Sequence, residues 1–179
     1  MNYQVGEYLL SRPEDEDLEY LYQQKNDPEV AQLLGGFSHG YSKQDLREWL
    51  EYHRKRNDEV LFVIREKGTN KCIGHVGLYR IDHRARTAEF AIMIGDKSAW
   101  GKRLGRAFTE FAMEYAFNEL NLNRMELSLL STNKRAEALY RSLKFSVDGI
   151  LREAQYKNGN YIDVIVMSIL RSEYNADRS

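Results

Sequence analysis

Residues 92–106 combine side chains and backbone features that could hold a phosphate group. Ile92, Met93 and Ile94 read as the end of a strand. A turn with two glycines and three basic residues then leads into a helix. The residues of this turn are Trp100, Gly101, Lys102, Arg103, Leu104, Gly105 and Arg106. A helix start offers unpaired N–H groups and the positive end of the helix dipole, which together favour a phosphate or pyrophosphate. Because many strand–helix connections contain glycine, an ordinary surface turn is the alternative interpretation of this segment alone.

A second segment, residues 133–145, has the pattern of an amphipathic helix followed by a strand. Asn133 is a suitable helix N-cap. The apolar positions of this helix fall on one face, and they are Ala136, Leu139, Tyr140 and Leu143. Taken alone, Tyr140 is a core residue, because the chain contains 12 tyrosines and this one shares the apolar face.

The two segments resemble the two signatures of the GNAT superfamily of acyl-CoA-dependent N-acyltransferases. Residues 133–145 carry the Asn, Ala, Leu-Tyr and Leu-x-Phe order of the second signature, and the 100–106 turn resembles the coenzyme A pyrophosphate loop. Arg103 and Lys144 stand at positions where the family usually has glycine. Residues 88–90 and 156–164 are similar to the branch that holds ribosomal-protein N-terminal acetyltransferases and spermidine N-acetyltransferases.

The resemblance implies an acetyl-CoA-dependent N-acetyltransferase, an acyltransferase with acetyl-CoA as its co-substrate. It implies a GNAT fold of the α/β (α+β) class, with a mixed, mostly antiparallel sheet flanked by helices. The coenzyme-binding residues implied are Ile92, Met93, Ile94, Trp100, Gly101, Lys102, Arg103, Leu104, Gly105, Arg106 and Asn133. Tyr140 falls where family members place the tyrosine that protonates the sulfur of the coenzyme, so the resemblance favours a catalytic role over a purely structural one.

Glu89 is the candidate base. Strand alternation places it on one face with Thr87, Ala91 and Met93. It could take the proton of the amine through water, or it could sit at the wet end of its strand and pair with Arg86. The sequence favours neither interpretation over the other.

Composition indicates one globular domain, residues 1–179. The chain is 42% hydrophobic and 30% charged, with a formal net charge of -1, so no whole-chain field favours nucleic acid or an anionic membrane. Cys72 is the only cysteine and the four histidines lack metal-ligand spacing, so we expect no disulfide and no metal. Neither a leader segment nor an apolar run of membrane-spanning length is evident, and we expect a cytoplasmic protein.

Hydrophobic periodicity and turn residues predict the order of the elements. We expect a first strand over 5–10 and a helix that opens at Pro13 with an acidic first turn. Helices at 28–34 and 42–56 flank a mobile loop at 35–40. The remaining strands are expected at 60–65, 72–79, 85–94 and 124–130 and on both sides of Asn158, with helices from about 104 and 133. The polar tail from Arg171 is expected to fray.

The sequence does not identify the acceptor. It leaves open a small-molecule amine, such as a polyamine, an amino sugar or an aminoglycoside, and a protein N-terminus. Residues 74–78 carry no acidic side chain, which lowers the expectation of a polyamine. We expect the acceptor to enter between the 35–41 loop, with Phe37, His39 and Tyr41, and the hairpin at Asn158. The sequence also leaves open whether the protein forms a homodimer. The competing hypothesis is a catalytically silent acyl-CoA-binding sensor or scaffold module.

Overall fold

A computed structural model describes residues 2–36 and 39–176 and shows one sheet with helices on both faces. The strands are β1 (Tyr3–Val5), β2 (Tyr8–Ser11), β3 (Val60–Glu66), β4 (Cys72–Asp82), β5 (Thr87–Ile94), β6 (Arg124–Leu130), β7 (Ser146–Lys157) and β8 (Asn160–Leu170). The α-helices are α1 (Leu18–Lys25), α2 (Pro28–Leu33), α3 (Lys43–Lys55), α4 (Leu104–Glu114), α5 (Lys134–Ser142) and α6 (Arg171–Ala176).

The strand order in the sheet is β1-β2-β3-β4-β5-β6-β8-β7. Every neighbouring pair is antiparallel except β5 and β6, which are parallel. The predicted fold class, a mixed and mostly antiparallel sheet flanked by helices, is confirmed.

Two apolar layers hold the helices against the sheet. On one face α4 and α5 pack through a large cluster that includes the fully buried Phe108 and Phe117. On the other face α1, α2 and α3 pack through Leu21, Val30 and Leu46 against Met93. Burial of each large apolar side chain contributes about 1.5–3 kcal/mol, so both layers fix the position of β5 between them.

The single parallel pair is short, and this shapes the centre of the molecule. Residues Thr87–Glu89 of β5 pair with Arg124–Glu126 of β6, and beyond this point the two strands separate. Residues 90–94 of β5 therefore face β6 without a strand partner, while their other edge pairs with β4. An unpaired strand edge is a row of backbone donors and acceptors that an extended ligand can pair with.

Two predictions at the beginning of the chain are wrong. The strand expected over 5–10 is instead the hairpin of β1 and β2, which turns at residues 6 and 7. The helix expected from Pro13 begins later, as a short 3₁₀ turn at Asp15–Asp17 that runs into α1. The reason is a buried ion pair, because Asp17 binds Arg65 on β3 and caps the turn through the N–H of Glu14.

The polar tail, which we expected to fray, instead forms a helix. Residues 171–176 form α6, in which the ring of Tyr174 is buried and lies 4.8 Å from the ring centroid of Phe117. Arg171 holds the start of this helix, since its Nε donates to the carbonyl of Leu122 at 2.9 Å. One apolar residue and one arginine are enough to anchor a segment whose average composition is polar.

Candidate active site

A cavity of about 790 Å³ opens where β5 and β6 separate. Its size is in the range of small-molecule and cofactor sites. It is lined by most of the residues that the sequence assigned to the coenzyme: Ile92, Met93, Ile94, Trp100, Gly101, Arg103, Leu104, Gly105, Arg106 and Asn133. Lys102 lies in the same turn but does not line the cavity.

The turn before α4 is held close to β5. The indole Nε1 of Trp100 donates to the carbonyl of Ile94 at 2.7 Å, which ties the turn to the last residue of the strand. Gly101 has a φ of 81° and Arg103, the N-cap of α4, has a φ of 59°. Both lie in the left-handed region, so the chain keeps the backbone of a glycine-rich loop although Arg103 has a side chain.

The first turn of α4 faces the cavity, with Leu104 and Gly105 among its lining residues. The N–H groups at the start of a helix have no intrahelical acceptor and can bind an anion. A Cβ atom at Gly105 would stand 3.3 Å from Cδ2 of Leu139, so glycine allows α4 and α5 to approach closely. Arg106 lies at the same junction, where it donates to Oγ of Ser142 at 2.9 Å and pairs with Glu110 at 3.0 Å.

Tyr140 lies on the α5 side of the cavity. Its ring packs 6.2 Å from the centroid of Phe90 and 5.7 Å from that of Phe145. Burial raises the pKa of Tyr140 to about 12, because a phenolate would be poorly solvated there. The hydroxyl therefore keeps its proton at neutral pH and can donate it to a group in the cavity.

Glu89 lies outside the cavity, on the opposite face of β5 from Phe90. Its Oε2 is 2.5 Å from a guanidinium nitrogen of Arg80. The expected pairing with Arg86 is wrong, because Arg86 donates instead to the backbone carbonyl and the side chain of Asn121. A bulge in β4, where Arg80 has a φ of 49°, turns the Arg80 side chain toward Glu89.

Helix α2 is a wall of the cavity that the sequence did not reveal. Val30, Leu33 and Leu34 line the cavity from this short helix and the residue after it. Leu33 is 45% exposed, but its exposure is visible only in the structure, so the sequence carried no signal for this wall.

The 35–41 loop and the β7–β8 hairpin, which we expect to flank the acceptor, are in contact. The N–H of Gly36 donates to Oε1 of Gln155 at 2.9 Å, and Nζ of Lys157 donates to the carbonyl of Ala31 at 2.7 Å. Tyr41 is anchored to Asn26, and its ring lies 5.3 Å from that of His39. Phe37 lies outside the described residues.

Within residues 2–36 and 39–176, no group of three or more histidine, cysteine or acidic side chains is arranged to hold a metal ion. Cys72 is buried at the start of β4, and burial raises the pKa of its thiol to about 12. A helix long and apolar enough to cross a membrane is absent from the same residues.

The sequence and the fold both match known acetyltransferases. Residues 8–146 match the family model described as an acetyltransferase (GNAT) domain. The chain belongs to the GNAT acetyltransferase family. Spermidine N(1)-acetyltransferase of Escherichia coli strain K12 is 34% identical to it over 165 residues, which cover 92% of this chain and 86% of that protein. N-acetyltransferase p20 of Bacillus licheniformis is 30% identical over 167 residues, covering 92% and 93% of the two chains.

A solved structure shares the same architecture. Spermidine N-acetyltransferase of Vibrio cholerae, in complex with CoA and spermine, superposes on this GNAT protein with a TM-score of 0.86. The two are 31% identical, and the match covers 94% of this chain and 98% of that chain. The predicted branch is thereby confirmed on its spermidine acetyltransferase side.

This GNAT protein is an acetyl-CoA-dependent N-acetyltransferase, and acetyl-CoA is its co-substrate. The cavity fits that co-substrate, because it joins an open strand edge at Ile92–Ile94 to the start of α4. The hypothesis of a catalytically silent module is not favoured.

Proposed function

We propose that this GNAT protein transfers the acetyl group of acetyl-CoA directly to a primary amine, with the coenzyme lying along the open edge of β5. The observation that carries the proposal is the separation of β5 from β6, which leaves one edge of residues 90–94 without a strand partner beside the cavity. One end of this edge meets the start of α4, and Tyr140 lies across the cavity from it.

Each part of the cavity supplies one requirement of acyl transfer. The backbone of Ile92, Met93 and Ile94 would pair with the pantetheine arm as an added strand, and one N–H there would stabilise charge on the thioester carbonyl. The 100–106 turn would bind the pyrophosphate. Asn133 caps α5 by accepting from the N–H of Ala136 at 3.1 Å, and it would reach the coenzyme from that position.

Two side chains would move the protons. Tyr140 would donate its proton to the departing sulfur, as its protonated state at neutral pH allows. Glu89 would collect the proton of the amine, through water, from the opposite face of β5. The ion pair with Arg80 fixes the position of the Glu89 carboxylate.

The acceptor is a primary amine of a small molecule or of a protein N-terminus. The names of the E. coli and V. cholerae relatives make spermidine the first polyamine to test. A V. cholerae relative has a dodecameric structure, and several apolar side chains of β7, such as Ile150 and Leu151, are more than half exposed here. We therefore also expect a homo-oligomer. The cytoplasmic location stays a prediction.

A thiol-release assay over a panel of primary amines tests the activity. The panel holds spermidine, 6-aminohexanoate, glucosamine, kanamycin and a short peptide with a free N-terminus. Steady release of coenzyme A with at least one amine, above the rate of hydrolysis, is the expected result. Binding of acetyl-CoA without release for any amine would instead establish the silent module.

Calorimetry with coenzyme A tests the binding site. Gly105→Glu should abolish binding, because it places bulk and negative charge at the start of α4. Gly105→Ala is the matched control: its Cβ would stand 3.3 Å from Cδ2 of Leu139, so the flexible Leu139 side chain must shift slightly, but no charge is added and the protein should still bind. Normal binding by a folded Gly105→Glu protein would move the coenzyme elsewhere.

A further inference from the structure

The face of β4 and β5 that α1 and α3 cover elsewhere is open at one point. Ala91 is exposed there although β5 is an interior strand, and it stands opposite Gly77 of β4. The ring of Tyr79 lies over Gly77, where a Cβ atom would be only 2.7 Å from the ring. Met93 shares this face and also lines the coenzyme cavity, so this opening adjoins that cavity. We call this opening the acceptor cleft.

Lys25 reaches the acceptor cleft from the last turn of α1. Its Nζ lies 4.8 Å from the ring centroid of Trp49 and 5.7 Å from that of Tyr41. The Trp49 ring is 5.4 Å from His75, which stands opposite Met93 in the β4–β5 register. This chain of contacts places the ammonium group near His75, on the face of the sheet where Ala91 is exposed.

Among the residues that the structure describes, no carboxylate forms an ion pair with the ammonium group of Lys25. Within the described part of the chain, its only close partners are the two aromatic rings. Burial lowers the pKa of Lys25 to about 8, because no nearby carboxylate offsets the loss of water around the charge. A cation at this depth would be stabilised by an anionic group entering the cleft.

The acidic side chains around the cleft are already paired. Glu89 binds Arg80, and Glu59 binds His53. The His75 ring is neutral, since burial and the neighbouring Lys25 hold its pKa well below the ordinary value, so it offers no charge to either kind of acceptor. A polycation would therefore meet an unpaired ammonium group rather than a free carboxylate.

We propose that the acceptor is an amine that also carries a carboxylate, and that Lys25 binds this carboxylate in the acceptor cleft. The inference rests on the proposed acetyl transfer and names the substrate class of the same site. In the reaction, the neutral amine nitrogen attacks the thioester carbonyl carbon, a C–N bond forms and the C–S bond breaks. The sulfur leaves with the proton of Tyr140, the amine proton goes to water or Glu89, and the products are an N-acetylated amino acid and coenzyme A.

The test compares three acceptors of equal length: 6-aminohexanoate, hexylamine and 1,6-diaminohexane. L-norleucine and its amide repeat the comparison for an α-amine. We expect the carboxylate-bearing acceptors to have a kcat/KM about 10-fold to 100-fold above their partners, the size of a charge-assisted hydrogen bond. Lys25→Met should remove this preference, and Lys25→Arg should keep most of it.

Lys43→Met is the matched control. Lys43 also lies over an aromatic ring, 5.6 Å from the centroid of Tyr22, but it is on the surface and pairs with Glu19. This variant should keep the parent's preference, and circular dichroism should show that all three variants are folded. Equal kcat/KM values for 6-aminohexanoate and 1,6-diaminohexane, or a preference unchanged in Lys25→Met, would overturn the inference.

A binding measurement separates this inference from the proposed activity. Each of the three equal-length acceptors is titrated by calorimetry into the full protein saturated with coenzyme A. Binding of 6-aminohexanoate that Lys25→Met abolishes would support the inference even if no thiol were released. Tighter binding of the diamine, or no binding of any of the three, would overturn it, whereas absent thiol release with every amine counts against the acetyl transfer.

Discussion

Tyr140 is a core residue that also carries the proposed role of general acid. Its ring packs between Phe90 and Phe145, and only 8% of the residue is exposed. Nevertheless it lines the coenzyme cavity. The apolar helix face and the GNAT signature gave opposing interpretations of this tyrosine, and the geometry accommodates both.

Tyr140→Phe should lower kcat by ~10²–10⁴-fold, the usual effect of losing a general acid, while the Kd for coenzyme A stays nearly constant. The ring packing is kept and only the hydroxyl is lost. Because the pKa is raised to about 12, the parent should show no loss of rate from deprotonation of this phenol between pH 7 and 10. Single-turnover kinetics would measure the chemical step, and an unchanged rate would leave Tyr140 a purely structural residue.

Glu89→Gln should remove or displace the acidic limb of the pH profile of kcat/KM, if Glu89 takes the proton of the amine. Glu126→Gln is the control, because Oε1 of Glu126, on β6, lies 4.0 Å from a guanidinium nitrogen of the same Arg80. Profiles measured with one amine should differ from the parent for Glu89→Gln alone. Coinciding profiles for all three proteins would eliminate the base role.

The two helix ends that lack the family's usual glycine share one backbone conformation. Arg103 before α4 and Lys144 after α5 stand where the family usually has glycine, and their φ angles are 59° and 70°. The backbone keeps the left-handed conformation at both helix ends, and the side chains impose strain. The loop conformation therefore does not depend on glycine.

Lys144→Gly should raise the free energy of unfolding by about 0.5–1 kcal/mol, because glycine adopts a left-handed angle without the strain of a Cβ atom. Lys134→Gly, in the first turn of α5, should lower it, since glycine is unfavourable within a helix. Urea denaturation followed by circular dichroism measures both. A Lys144→Gly protein less stable than the parent would show that the lysine side chain contributes more than the strain costs.

At the scale of the whole molecule, distant parts of the chain close around the cavity. Helix α2 forms one wall, and the β7–β8 hairpin holds it through Lys157, while Gln155 of the same hairpin binds Gly36 after the helix. The hairpin itself does not line the cavity. Its effect on the coenzyme would pass through the position of α2.

Lys157→Met should raise the KM for acetyl-CoA about 3-fold to 10-fold, because it removes the hydrogen bond to Ala31 while keeping the apolar stem. Lys55→Met, at the exposed end of α3, is the control and should behave as the parent. Initial rates at saturating amine give both values. Equal KM values in all three proteins would show that α2 holds its place without the hairpin.

The family and most of the helices and strands could be predicted from the sequence, and most residues of the predicted coenzyme segment line one cavity. These predictions rest on local properties: apolar periodicity, the N-caps Ser42 and Asn133, and a turn whose residues follow one another in the chain. A motif whose residues are contiguous in the sequence can be recognised without knowledge of its position in the fold. For this reason the 100–106 turn was recognisable before its position was known.

Which distant groups meet depends on the packing of the whole fold. The partner of Glu89 depends on a bulge that turns Arg80, rather than Arg86, across the sheet. The wall formed by α2, the buried Tyr174 of the tail and the place of Lys25 between Trp49 and Tyr41 depend on contacts between segments far apart in sequence. Such contacts arise from the packing of whole helices against the sheet, which no local pattern of residues encodes.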